Sequence, residues 1–182
     1  ENNGANANLV VDNAVDLFNS VLTDEEQSAI ADGATVSIYL EVQDVPVNNV
    51  SSSDKAAAEE AIQDSNSSEA TSEIGMYLDI NLFKEVTSLD DSNNATNTET
   101  SKVTQTSNKV TITISIPDDL INTNDSVNRT YRIVRVHEDA DGNLITDVIE
   151  GIFDPEHKTF TFETDKFSTY ALAYNDDVIT YT

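Results

Sequence analysis

Hydrophobic positions follow two different rhythms along the chain. Residues 1–8 (ENNGANAN) are small and polar and read as a flexible tail. From Val10 the apolar residues recur at helical spacing. Val10, Ala14, Leu17 and Val21 make one stripe, and Val11, Val15, Phe18 and Leu22 make the adjacent one. Together they predict an amphipathic helix whose polar face carries Asp12, Asn13, Asp16, Asn19 and Ser20. Thr23 then opens the run Thr-Asp-Glu-Glu. Thr23 as N-cap and Glu26 three residues on predict a capping box, and the acids suit the positive end of a helix dipole. Gly33 stands where a left-handed residue stops this second short helix.

The period then changes to two. Val36, Ile38, Leu40 and Val42 share one face of a strand, with Ser37, Tyr39 and Glu41 on the other, and Pro46 ends it. Ser53 is expected to cap a third, Ala-rich helix over residues 54–63. Ile62 is its only large apolar residue, so that helix is expected on the surface. Residues 64–73 read as a polar loop, and Met76, Leu78, Ile80 and Leu82 line a second strand. Residues 87–108 (TSLDDSNNATNTETSKVTQTSN) are polar and of low complexity, and are expected to form a long mobile loop or linker.

Beyond residue 108 the pattern is strand after strand. Val110, Ile112, Ile114 and Ile116 alternate with Thr and Ser until Pro117. The run YRIVRV (131–136) is apolar on both faces, as a central strand is. Asp141-Gly142 predicts a tight turn before a strand around Leu144–Ile149. Asp154-Pro155 starts another turn, Phe160 and Phe162 alternate, and residues 169–174 close the set. The segment 109–176 is therefore expected to be a five-stranded antiparallel half. The earlier strands join it, because two-stranded pieces are marginal alone. The fold class expected is mainly β, an antiparallel β-sandwich-like module with two or three short helices in its N-terminal half, α+β overall. Residues 9–176 are expected to form a single module, with halves 9–86 and 109–176 around the 87–108 loop and a linker starting at 177.

Composition narrows the function classes. The 182 residues carry 9 Lys+Arg against 34 Asp+Glu, a net charge of −25. No basic surface exists to neutralise phosphates, so nucleic acid and anionic membrane surfaces are poor partners. No apolar run is long enough to span a bilayer. There is no Cys, which removes disulfides, thiol catalysis and Cys-ligated metals. The load of 19 Asn, 17 Ser and 20 Thr suits an exposed extracellular surface, and the chain reads as a piece of a longer exported protein.

Candidate chemistry is sparse. His137, His157 and Ser168 do not stand in a catalytic spacing, and no Gly-x-Ser-x-Gly or HExxH motif occurs. An enzyme is not expected. No cofactor is indicated, and calcium is the one candidate ion. The stretch Glu-Asp-Ala-Asp-Gly-Asn (138–143) offers Asp139, Asp141 and Asn143 as oxygen ligands. It fails the EF-hand pattern, and a hairpin turn with solvated acids is the favoured reading. Tyr39, Tyr77 and Tyr131 each fall opposite the more apolar set of their strand and are the candidates for a ligand-binding face, with cross-strand packing as the alternative.

The closing run FDPEHKTFTFETDKFSTYALAY (153–174) resembles the terminal signature of a repeated β-rich module in Gram-positive (Firmicutes) cell-surface, wall-anchored proteins. The pattern is apolar-Thr-Phe-x-Thr-Asp-x-Phe-Ser-x-Tyr-Ala. The pieces VLTDEEQSAIADGA, VSIYLEV, MYLDINLF, VTITISIP and YRIVRVHED resemble the same module in the same order, so the likeness covers most of residues 9–176. It implies an exported, non-enzymatic structural or adhesive module at a Gram-positive cell wall. The resemblance also prompts a Lys–Asn isopeptide as a staple in place of a disulfide, with Lys109 and Asn175 as the candidates, although no spacing demands it. The partners implied are neighbouring domains of the same surface protein and a glycan or host matrix protein. A calcium-assisted carbohydrate- or host-ligand-binding module is the alternative.

Overall fold

The computed structural model describes residues 7–11, 14–64 and 72–179. Ten strands and three helices follow one another as β1 (Ala7–Val10), α1 (Ala14–Val21), α2 (Asp24–Ala31), β2 (Thr35–Val45), α3 (Ser52–Asp64), β3 (Ser72–Leu89), β4 (Ala95–Val103), β5 (Gln105–Ser115), β6 (Val127–Glu138), β7 (Leu144–Ile149), β8 (Ile152–Asp154), β9 (Thr159–Lys166) and β10 (Thr169–Val178). The strands form two antiparallel sheets. The smaller has the order β1-β5-β9-β8, and the larger β2-β3-β10-β6-β7 with β4 added to β3. Mainly β, sandwich-like and α+β overall is therefore the architecture observed.

Alternation explains the core. Val42, Leu78, Ile80, Leu82, Ile133 and Leu172 of the larger sheet meet Ile112, Ile114, Phe160 and Phe162 of the smaller one. Residues on both sides of the 87–108 stretch contribute, so the two halves share one core. Leu17 of α1 joins it. The helical pair is fastened by Lys84, whose ammonium donates to the Val21 carbonyl at 2.8 Å and pairs with Glu26 at 2.6 Å. The Thr23–Glu26 capping box forms as expected. Gly33 (φ 108°) ends α2 with the paired bonds Gly33 N–H to Ile30 and Ala34 N–H to Ala29.

Several expectations are corrected. The 87–108 stretch is not a loop. It contains the end of β3, a turn at 90–94, all of β4 and the start of β5. The pairs Leu82–Val103 through Leu89–Ala95 hydrogen-bond this polar hairpin. β4 is exposed along all but its last residue, so no apolar alternation marks it. The helix α3 is not peripheral either. Ala58 is fully buried and Ile62 is 1% exposed, packed on Tyr77, Val134, Val136, Ala171 and Ala173 of the larger sheet's outer face. Alanines let the helix backbone lie close, so one Ile suffices to anchor it. Its cap is Ser51, whose hydroxyl accepts from the Asp54 N–H, rather than Ser53. The first helix begins at Ala14, because residues 7–10 pair with β5 as a strand. The five strands expected over 109–176 gain β8 and divide between the two sheets.

The chain passes between sheets at a few defined points. β4 gives way to β5 at Thr104 and β9 to β10 at Phe167, and the Phe167 N–H donates to the Thr104 carbonyl at 3.1 Å. Beside this junction the Tyr170 hydroxyl bonds back to the Lys166 carbonyl and lies 2.7 Å from the Thr164 hydroxyl. That is the arrangement of a tyrosine corner. Gly151 carries the step from β7 to β8. A Cβ there would lie 2.4 Å from the Thr161 carbonyl oxygen, so no larger residue fits without movement.

The sandwich has two poles. One holds the Thr104–Phe167 junction. The other holds the end of β5 and the start of β6, where the Leu120 carbonyl receives the Tyr131 hydroxyl at 2.7 Å. Ala7 pairs with Ile114 and Val178 pairs with Val127, so β1 begins and β10 ends at this second pole. No helix among the described residues is long and apolar enough to cross a membrane.

Candidate functional site

The acidic turn is built by its own backbone. Gly142 takes a left-handed conformation (φ 82°) that closes the β6–β7 hairpin. One Asp139 oxygen accepts the N–H groups of Asp141 and Asn143, each at 2.9 Å. Its other oxygen takes the Asn143 side-chain amide at 3.2 Å. These donors hold the Asp139 carboxyl below the usual carboxylate range. The β3–β4 turn has the same construction, with Asp90 accepting from Ser92 and Asn94 and Asn93 at φ 63°. An aspartate at the head of such a turn is turn chemistry. Asn143 presents a donor, not an oxygen, to Asp139. Among the described residues no group of three or more acidic or histidine side chains is placed to hold a metal.

The three tyrosines lie in three environments. Tyr131 is 3% exposed and faces the main core, because β6 is covered on both sides; its ring tilts against Phe153 with centroids 4.7 Å apart. Tyr77 is 4% exposed beneath α3. Burial pushes both phenols above their ordinary pKa. Only Tyr39 stays half-open. It stands on the outer face of the larger sheet, stacked on Phe83 with centroids 5.3 Å apart and planes at 23°. The three do not converge on one patch.

Basic side chains gather instead near the Thr104–Phe167 pole. Arg135, 8% exposed, pairs with Asp147 at 2.8 Å and Asp165 at 3.0 Å, and donates to the Thr164 hydroxyl at 2.8 Å. The partners hold its guanidinium charged against the cost of burial. His137 lies beside this cluster. Its Nδ1 is 3.7 Å from Asp147 and its Nε2 is 3.4 Å from the Lys166 ammonium. Burial, Lys166 and Arg135 push its pKa below that of a free imidazole. His137 and Ser168 line one recess of about 440 Å³, but the imidazole faces Lys166, and Ser168 contributes its carbonyl to the Ile80 N–H. His157 is in the exposed turn after β8, bonded to Asp154 at 2.7 Å. This arrangement neutralises buried charge and aligns no nucleophile with a base.

A cleft of about 650 Å³ opens where β7 and β8 leave the sheets, between Lys109, Arg135, Asp147, Phe162 and Glu163. Lys109 is exposed there on the smaller sheet, whereas Asn175 is 8% exposed on β10 of the larger sheet. Asn175 shares the outward face of β10 with Ala171 and Ala173, turned away from the smaller sheet. The two candidate residues for an isopeptide, Lys109 and Asn175, are not brought together.

Comparison with known protein families, with curated proteins and with solved structures finds no match for this chain. Residues that sequence reasoning passed over are Phe83, Asn81 and Lys102. They sit beside Tyr39, and only the β2–β3–β4 register puts them together. Arg135 was also passed over, although a cation on the same strand face as Tyr131 and Ile133 was the available signal.

Proposed function

We propose that the chain is a non-enzymatic display module of an exported, wall-attached surface protein of a Gram-positive bacterium, structural or adhesive in role. Its neighbours would be other domains of the same protein, and its exposed faces would meet a glycan or host matrix protein. The observation that carries this reading is the shared pole of the first and last strands. β1 starts and β10 ends at one pole, so the body hangs from that pole and projects the opposite pole and both outer faces away from the chain. The resemblance over residues 9–176 supplies the setting. The buried charges support a structural role, being paired with one another around Arg135.

The test is a distance. Fluorescent proteins fused before residue 7 and after residue 179 should transfer energy strongly across a pendant module. An in-line spacer would hold them apart by the sandwich length, roughly 35 Å for ten residues of strand; weak transfer would contradict the pendant reading. Of the two adhesive variants, the calcium-free one is favoured, because the Asp139 oxygens already accept three internal hydrogen bonds. The open face around Tyr39 favours a glycan ligand.

A further inference from the structure

The larger sheet's outer face is covered by α3 over only part of its area. Away from α3, three successive rungs of β2 and β3 point outward and are mostly half-open: Tyr39 opposite Phe83, Glu41 opposite Asn81, and Gln43 opposite Asp79. The two rings are near-parallel at 23° and 5.3 Å. Lys102 of β4 flanks Phe83, its ammonium 6.0 Å from the ring centroid. Phe83 is thus engaged on both sides, while Tyr39 stands on the edge strand of the sheet with one ring face turned away from the stack. The next rung is polar and ordered. Gln43 donates to the Glu41 carboxylate at 3.0 Å, which holds that carboxylate in place. Asn81, 9% exposed, lies low between its neighbours, and its amide is not among the polar atoms sealed from water without a partner. An amide that still meets water can exchange it for a ligand hydroxyl, as donor and as acceptor.

We infer that this face binds a neutral oligosaccharide. A pyranose offers an apolar C–H face to an aromatic ring and hydroxyls that both donate and accept. The three rungs supply that sequence over roughly 14 Å: an aromatic platform, a carboxylate beside an amide, then a second amide beside a second carboxylate. Charge selects among glycans. Glu41, Asp79 and Glu85 against Lys102 leave the face acidic within a chain of net charge −25, which repels sulfated or uronic-acid chains. This names the ligand class for the adhesive variant proposed above. It rests on that variant but not on the pendant geometry, so energy transfer and binding fail independently.

The experiment is an amide NMR titration of the intact chain with cellohexaose, xylohexaose, mannohexaose and chitohexaose, and with a heparin hexasaccharide as anionic control. Saturable shifts at residues 39–43 and 79–83 with a neutral hexasaccharide, and none with heparin, are expected. Tyr39→Ala should weaken binding about tenfold by loss of the stacking surface. Asn81→Asp should weaken it too, because the amide donor is lost. Thermal melts identical to the parent for Tyr39→Ala would show that the loss is not unfolding. Binding by none of the neutral hexasaccharides, shifts confined to another face, or binding unchanged in Tyr39→Ala would each overturn the assignment.

Discussion

The larger sheet shows two outer surfaces that meet along β3. Under α3 the outward residues are Tyr77, Val134, Val136, Ala171 and Ala173, all buried against Ala58 and Ile62. Beyond it they are Tyr39, Glu41 and Phe83, half-open, with Asn81 set lower between them, a mixed chemistry. The alternation that places them is the same, shifted once where Gly75 bulges out of the β3–β10 ladder. Tyr39 and Tyr77 therefore look alike in the sequence, and only the helix makes one a core residue. A sheet face becomes structural where something covers it, and is free for recognition where nothing does.

Breaking the covered half should have the largest effect. Ile62→Asp places an unpaired carboxylate against Tyr77 and Ala171, and we expect a loss of about 4 kcal/mol in urea unfolding. The open face should respond only through that global loss. Removing the tyrosine corner affects both halves alike, because β10 borders them. Tyr170→Phe deletes the bonds to Lys166 and Thr164 and should cost about 1.5 kcal/mol. At the β6–β7 turn, Asp139→Ala should lower the urea midpoint by less than Tyr170→Phe does, through its lost N–H partners. Calcium and chelator should leave the melting temperature of the parent unchanged. A calcium-dependent rise lost in Asp139→Ala would return the ion to that turn.

Acid gives the smallest and most selective effect. The folded His137 titrates below its unfolded value, so the unfolded chain takes up the proton first as pH falls. Its stability contribution is present above the free-imidazole pKa of about 6.5 and is lost as pH falls through the lower, folded pKa. The groups facing it, Lys166, Arg135, Asp147 and Asp165, lie on the far side of the sheet from Tyr39. Unfolding between pH 7 and 5 should therefore become easier in the parent and less so in His137→Gln, with oligosaccharide binding unaltered in the folded fraction. Equal acid sensitivity in both proteins would remove His137 as the cause.

Much of the fold was legible where burial and periodicity coincide. Val110–Ile116 and Met76–Leu82 declared strands by alternation, YRIVRV declared a strand covered on both faces, and Thr23 with Glu26 declared a helix start. The 95–103 strand was hidden because both its faces are wet, leaving only the β-propensity of Thr96, Thr98 and Thr100 as a signal. The packing of α3 was hidden because Ala58 buries no long side chain. The candidate site was legible only in Tyr39. Phe83 joins it through register, and Lys102 joins it through a strand that composition disguised as a loop.

The division between the covered and open halves is tested most directly by one pair of variants, Tyr39→Ala and Tyr77→Ala, each measured for urea unfolding and for hexasaccharide affinity. We expect Tyr77→Ala to lose about 3 kcal/mol of stability and, where still folded, to bind as the parent does. Tyr39→Ala should lose no more than about 1 kcal/mol and most of its affinity. Equal stability losses, or an affinity that survives Tyr39→Ala, would contradict the division.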